Sequence, residues 1–330
     1  MFGNLRIDDY VLDSIKEFCE ETGSTIMTYE CSDDTSRYEP ALMEACATGT
    51  YDLIVTGHNA LKEPVEAAAA EYPDQHFIIF DTEMDFTKPG LDNVANFQLA
   101  ENEVSFLVGA LGALLTQSDA EYANPSKTIG FVGGGENTAV VNFLFGFIDG
   151  AHYVDPEVNV LYSFIGDWSD TAKASELANF QFQQGSDLVY AVAASAGFGC
   201  CEAAMNNKCY AVGCDYDFQA NLEASNQPSA QWVLSSAVKA FNKLLKGEMY
   251  KMMDGTCKWG SFQKLGAASG YLEVLETSNF KRMVPEDVYK KYTQIKADLE
   301  AGKIEVSTAY GATKEEWQQK YDTAGGTAAK

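Results

Sequence analysis

Residues 186–215 read SDLVYAVAASAGFGCCEAAMNNKCYAVGCD. The order is a β-rich apolar run, a tight loop, an Ala-rich helix, a second apolar run and a closing acid. Residues 52–81 repeat it as DLIVTGHNALKEPVEAAAAEYPDQHFIIFD. Each copy opens on Asp-Leu, carries Glu-Ala-Ala in its helix and ends on an aspartate; the spans are 29 and 28 positions (81 − 52 and 215 − 187). Two related α/β lobes are therefore expected, each placing an acid at the carboxyl end of a strand. In open α/β sheets that edge is where ligands bind.

Composition narrows the function. A chain of 330 residues predicts about two domains. Twenty-three basic against 48 acidic side chains give a net charge of −25. That argues against nucleic acid or an anionic membrane surface as partner, because phosphate needs a basic face. The eight cysteines form no C-x-x-C pair, so buried free thiols are expected and a zinc site is not. No run approaches the roughly 20 apolar residues of a membrane span, and no signal-peptide pattern is visible.

Around the repeats, helices are expected over 8–22, 40–47, 61–71 and 103–115, with strands at Ser24–Glu30, Tyr51–Gly57, His76–Asp81 and Asn93–Gln98. Gly109 and Gly112 suit close helix packing. The second lobe reads β-α-β-α-β-α-β from Lys127 to Asp215, a parallel sheet with right-handed crossovers. Beyond it come a polar loop over 219–231, a helix over 235–245, strand and turn character over 256–270, a helix over 285–301 and a frayed tail from Thr313. Expected boundaries are 1–124 for lobe 1 (with part of 236–258 returning to it), 125–235 for lobe 2, and 259–330 for a segment across both. Laid side by side, the lobes differ: lobe 1 has nothing matching strand Lys127–Gly133, and Met1–Asn4 resembles at most the tail of one. An open row of backbone groups would result, so the expectation is an upstream first strand or another segment in its slot. An export signal would then also lie upstream.

Catalytic patterns are mostly missing. His58, His76 and His152 stand outside metal spacings, and neither a nucleophile elbow nor a Walker loop is present. Gly133-Gly134-Gly135 follows a strand but lacks the third glycine of a dinucleotide fingerprint; a tight turn explains it. No metal, cofactor or catalytic residue is expected. Binding groups are clearer. Asp81 and Asp215 can accept sugar hydroxyls, or serve as turn or capping aspartates. Trp168 can stack on a flat ring, or pack on the surface. Lys239, read in the first turns of a helix, can reach a ligand hydroxyl or stand solvated. His58-Asn59 and Ser195-Ala196-Gly197 occupy equivalent loops and offer hydrogen bonds to a ligand, or turn and capping contacts.

Ile7-Asp8-Asp9, YDLIVTG, HFIIFD, NEVSFLVGALGALL, KTIGFVGG, FGFIDGAHYVDPEVNVLYSFIGDWSD, GSDLVYAVAASAGFGCCEAA, YAVGCDYD, VLSSAVKAF and LEAGKIEVSTA together resemble the basic membrane protein family. These are substrate-binding lipoproteins of ABC transporters, of the purine nucleoside receptor type. The resemblance covers about Ile7 to Thr308. It implies a type I periplasmic-binding-protein fold, two Rossmann-like lobes with a ligand cleft between them. It implies capture of a nucleoside, a purine one in this type, and delivery to a permease outside the cytoplasmic membrane, with a lipid anchor supplied upstream. Riboflavin-like heterocycles remain alternatives. By position Asp8 and Asp9 face the base, while Asp81, Asp215 and Lys239 hold the ribose. The family places a phenylalanine soon after its acidic pair; here Tyr10, Val11 and Leu12 stand there, so either Tyr10 replaces it or stacking passes to Trp168. A nucleoside-processing enzyme or a ligand-sensing regulator on the same scaffold is the alternative function.

Overall fold

The computed structural model describes residues 7–32 and 34–325; Met1–Asn4, read as the tail of a strand, and residues 326–330 lie outside them. The chain forms two compact units. One runs up to Leu99 and resumes over Ala240–Leu265; the other comprises Ala100–Lys239 and continues from Gly266.

The first unit begins with α1, Ile7–Thr22. Val11, Ser14 and Phe18 recur at helical spacing on its buried face. Gly23 ends it with a left-handed φ of 75° that a side chain would resist. Then come α2 (Tyr38–Ala47), β1 (Leu53–Gly57), α3 (Lys62–Glu71), β2 (His76–Phe80) and β3 (Val94–Leu99). The second unit follows with α4 (Glu101–Thr116), β4 (Thr128–Gly133), α5 (Thr138–Val154), β5 (Asn159–Phe164) and α6 (Thr171–Gln183). It goes on through β6 (Ser186–Val192), α7 (Phe198–Asn207), β7 (Tyr210–Cys214), α8 (Phe218–Ala224) and β8 (Val233–Lys239). The chain returns to the first unit for α9 (Phe241–Met253) and β9 (Ser261–Leu265), and ends in the second with β10 (Leu272–Val274), α10 (Ser278–Met283), α11 (Glu286–Glu300) and α12 (Lys314–Thr323).

Each unit is an α/β sandwich. The first has a sheet ordered β1-β2-β3-β9, all pairs parallel. The second is ordered β10-β8-β7-β6-β4-β5, parallel except for the terminal β10. Long apolar runs suit strands covered on both faces; all seven residues of β6 are buried. Helices α4 and α5 pack backbone to backbone. A Cβ on Gly109, Gly146 or Gly150 would strike the carbonyl of Phe147, Asn102 or Phe106, respectively.

Four expectations need correction. Ser24–Glu30 is not a strand: among the described residues it has no ladder partner, and it is exposed. The loop over 219–231 contains α8, capped by Asp217, whose carboxylate accepts from Ala220 N at 3.0 Å, and a 3-10 turn over Pro228–Trp232. The helix over 235–245 is two elements, because Val233–Lys239 pairs with β7 and β10 before α9 starts at Phe241. The tail from Thr313 is ordered to Gly325. Thr313 and Glu316 form a reciprocal capping box, Trp317 and Tyr321 are buried, and Gly325 bridges to Val160.

All eight cysteines are free. Five are buried, and burial pushes the Cys200 thiol up to about 12, which keeps it protonated and inert.

Candidate functional site: matched strand ends in the two units

The sequence echo survives as matched geometry. Asp81 directly follows β2 and Asp215 directly follows β7. Both have left-handed backbone, φ 57° and 66°. Each amide continues the ladder into the next strand: Asp81 N donates to Phe97 O at 3.0 Å, and Asp215 N donates to Ala237 O at 2.8 Å. A non-glycine residue held at positive φ costs on the order of 1–3 kcal/mol and persists where its surroundings over-determine it. The loops after β1 and β6 behave alike, with positive φ at His58 (71°) and Ala194 (46°).

In the first unit these loops bring three titratable side chains together. His58 Nε2 lies 2.9 Å from Asp8 Oδ1, on the first turn of α1, and Nδ1 lies 3.4 Å from Asp81 Oδ2. Burial opposes the imidazolium. The hydrogen bonds to Asp8 and Asp81, with their charges, outweigh it and hold the pKa up to about 10. The ring is 41% open to solvent, so water screens part of this effect. Asn59 lies alongside and accepts from Thr82 Oγ1 at 3.3 Å. Asp9 and Tyr10 follow Asp8 in the same turn, half-buried. The Phe80 ring flanks His58, with centroids 5.8 Å apart.

In the second unit Lys239 ends strand β8 rather than standing in a helix, and is buried to 6% exposure. The strand aims its ammonium at Asp215, 3.8 Å away. Nζ also lies 5.4 Å from the centre of the Phe143 ring on α5, within cation–π range. No sequence motif marks Phe143; only the apolar face of α5 contains it.

Trp168 belongs to a second cluster of the same unit. Its indole lies against Gly134, where an added Cβ would collide with the six-membered ring. Ser195 Oγ and Ala196 N donate to its carbonyl at 3.1 and 3.0 Å. The glycine run after β4 thus serves as a seat for Trp168, which keeps 42% of its surface open. Gly197 is buried, and a Cβ there would come within 2.9 Å of the Phe218 ring.

In the first unit Asp81 and His58, and in the second Asp215 and Lys239, offer hydrogen-bond acceptors and donors, and Trp168 keeps an open aromatic face. Among the described residues no group of three or more His, Cys, Asp or Glu is placed to hold a metal ion.

Comparison with known proteins gives the family and the fold. The Bmp family model, described as ABC transporter substrate-binding protein PnrA-like, matches residues 7–306. The ABC transporter nucleoside-binding protein BmpA of Lactococcus lactis subsp. cremoris is 26% identical over 296 residues, 86% of this chain and 78% of that protein. Basic membrane protein D of Borreliella burgdorferi is 28% identical over 217 residues, 65% of this chain but 59% of that relative. The structure of an ABC transporter solute-binding protein from Aeropyrum pernix K1 aligns over 98% of this chain and 94% of its own, with a TM-score of 0.80 at 20% identity. That likeness establishes the type I periplasmic-binding-protein fold. A family match running from the first turn of α1 to beyond α11 covers most of the chain, which therefore belongs to the Bmp family of PnrA-like substrate-binding proteins of ABC transporters.

Proposed function

We propose that this substrate-binding protein captures a nucleoside, with a purine base, and hands it intact to an ABC permease. The observation that carries the reading is the matched pair of acids, Asp81 and Asp215, each fixed at a strand end in left-handed backbone. Ribose presents vicinal hydroxyls, and a carboxylate accepts two such donors at once. Each unit contributes its own set. The first offers Asp81, with His58 and Asn59 beside it and Asp8, Asp9 and Tyr10 on α1. The second offers Asp215 and Lys239 for the sugar, Trp168 for the flat ring, and the Ser195–Gly197 loop behind it. The nucleoside-binding name of the Lactococcus relative supports the same ligand class. Placement outside the cytoplasmic membrane, lipid-anchored or periplasmic, accompanies this role. The protein performs no chemistry on its cargo in this reading, and binding acts by shifting a conformational equilibrium.

Thermal unfolding against a panel of purine and pyrimidine nucleosides, free bases and riboflavin tests it. A ligand that binds only the folded state raises the midpoint by mass action. Purine nucleosides that raise it where free bases do not support the proposal. A shift with free bases or riboflavin alone overturns the ribose assignment. Free base released on incubation with inosine would instead make the protein an enzyme.

A further inference from the structure

A buried polar pair, Tyr190 and Cys214, lies beside Asp215. Residues two apart on a strand share a face. Cys214 pairs with Ala237, so Cys214 and Lys239 stand on one side of the sheet. Tyr190 pairs with Val212, which puts it on the same side. Helix α5 covers that side. Its Phe143 and Phe147 rings lie 6.3 and 5.7 Å from the Tyr190 ring, centroid to centroid, and Lys239 Nζ sits over the same Phe143. Asp215, one position beyond Cys214, would face away in a regular strand. Its φ of 66° breaks the alternation and returns the carboxylate to the side of Cys214 and Lys239.

Tyr190 is fully buried and Cys214 is 2% exposed. Tyr190 Oη donates to Cys214 Sγ at 3.7 Å, and Ser105 of α4 also reaches the phenol. Burial holds both phenol and thiol far above their ordinary pKa, so both keep their protons. With the phenol proton on the sulfur, the thiol proton needs an acceptor, and the Asp215 carboxylate is in reach. The first unit shows that the fold does not require these polar groups. Counted from each Asp-Leu, Tyr190 matches Val55, and counted back from each closing acid, Cys214 matches Phe80. There the aspartate has a different neighbour, His58 Nδ1 at 3.4 Å from Asp81. The matching loop of the second unit holds Ala193 and Ala194, whose side chains donate nothing.

We propose that Tyr190 and Cys214 are positioning residues for the ligand acceptor: a chain of hydrogen bonds from the Tyr190 hydroxyl through the Cys214 thiol to Asp215 holds the carboxylate against rotation, with Lys239 beside it. The proposal rests on the reading of Asp215 as a ligand acceptor. A carboxylate held before the solute arrives loses less freedom on binding, which is where preorganisation adds affinity. A thiol is a weak donor, so the expected effect is about three- to tenfold in affinity.

The test uses the whole chain carrying Cys214→Ala, Cys214→Ser or Tyr190→Phe. Carbon-13 NMR follows the titration of the Asp215 carboxyl in the ligand-free protein, and calorimetry measures inosine binding. Removing a donor from a carboxylate disfavours its ionised form. Cys214→Ala should therefore move the Asp215 titration to higher pH and weaken inosine binding by about three- to tenfold. Cys214→Ser keeps a donor and should restore most of both. Tyr190→Phe deletes one hydroxyl and should act like Cys214→Ala, more weakly. A merely structural role would lower the thermal midpoint without moving the Asp215 titration, or would make the alanine and serine variants equivalent; either result overturns the proposal. So does a Cys214→Ala protein whose titration moves but which binds inosine as tightly as the wild type. If the wild type itself binds no inosine, the nucleoside reading falls, and the carboxyl titration still decides whether Tyr190 and Cys214 hold Asp215.

Discussion

Replacing His58 with glutamine removes one positive charge from between Asp8 and Asp81 while keeping a hydrogen-bonding side chain of similar length. The backbone cost of φ 71° is common to both residues, so it cancels in the comparison. The histidine pKa is raised from 6.5 to about 10 in the folded chain. A raised base stabilises the fold fully below its unfolded value, and that stability is lost as pH climbs through the folded one. Unscreened, a displacement from 6.5 to about 10 corresponds to about 5 kcal/mol. The ring is 41% exposed and its partners 28% and 24%, so solvent reduces the gain to about 2 kcal/mol. Urea unfolding of both proteins from pH 6 to pH 10.5 provides the assay. The wild type should lead His58→Gln by about 2 kcal/mol at pH 6, with the lead shrinking above pH 6.5 and gone by pH 10. A difference that stays flat across this range, or widens, would refute the assignment of His58 as an imidazolium clamped by two carboxylates.

Three further outcomes follow from the same structure. Asp215→Asn and Lys239→Met should each weaken nucleoside binding in titration calorimetry by about 10- to 100-fold, the usual worth of a charge-assisted hydrogen bond. At 3.8 Å apart, their effects should not add in the double variant. Gly146→Ala should lower the unfolding free energy by about 2 kcal/mol or more, because its methyl group lands on the Asn102 carbonyl and helices α4 and α5 must separate. Asp187 is buried at the foot of β6, accepting from Thr116 Oγ1 at 2.8 Å and Asn124 N at 3.1 Å; desolvation raises its pKa from 3.8 to about 6. An acid raised in this way destabilises the fold progressively between pH 3.8 and pH 6. Asp187→Asn should therefore gain on the wild type by about 3 kcal/mol between pH 4 and pH 7, whatever their offset at pH 4.

Much of the fold was legible because the repeated unit is locally consistent. Residues 187–193 and 210–214 are apolar runs of strand length, with an Ala-containing helix stretch, GCCEAAMNN, between them. The matched aspartates could be found by counting from each Asp-Leu. Val233–Lys239 was not legible as a strand: VLSSAVK has no strong local preference, and its state is set by β7 and β10 on either side. That misreading carried Lys239 with it. The lysine was already a candidate, but its burial, its line to Asp215 and its seat over Phe143 all come from the strand. In α12 the Thr313–Glu316 box was visible in the letters, yet only the docking of Trp317 and Tyr321 shows why the helix persists.

The sequence by itself determined the α/β periodicity, the two related units, the acids at their strand ends and the lack of basic surface. Those properties rest on interactions within about ten residues, or on simple counts. Tertiary structure alone decided that His58 lies between Asp8 and Asp81, 50 and 23 positions away, and that the glycine run after β4 supports Trp168. It also decided that Ser24–Glu30, composed like a strand, is not one. A strand exists only when a neighbour takes up its backbone hydrogen bonds. Whether that neighbour is present is a property of the assembled sheet, not of the seven residues.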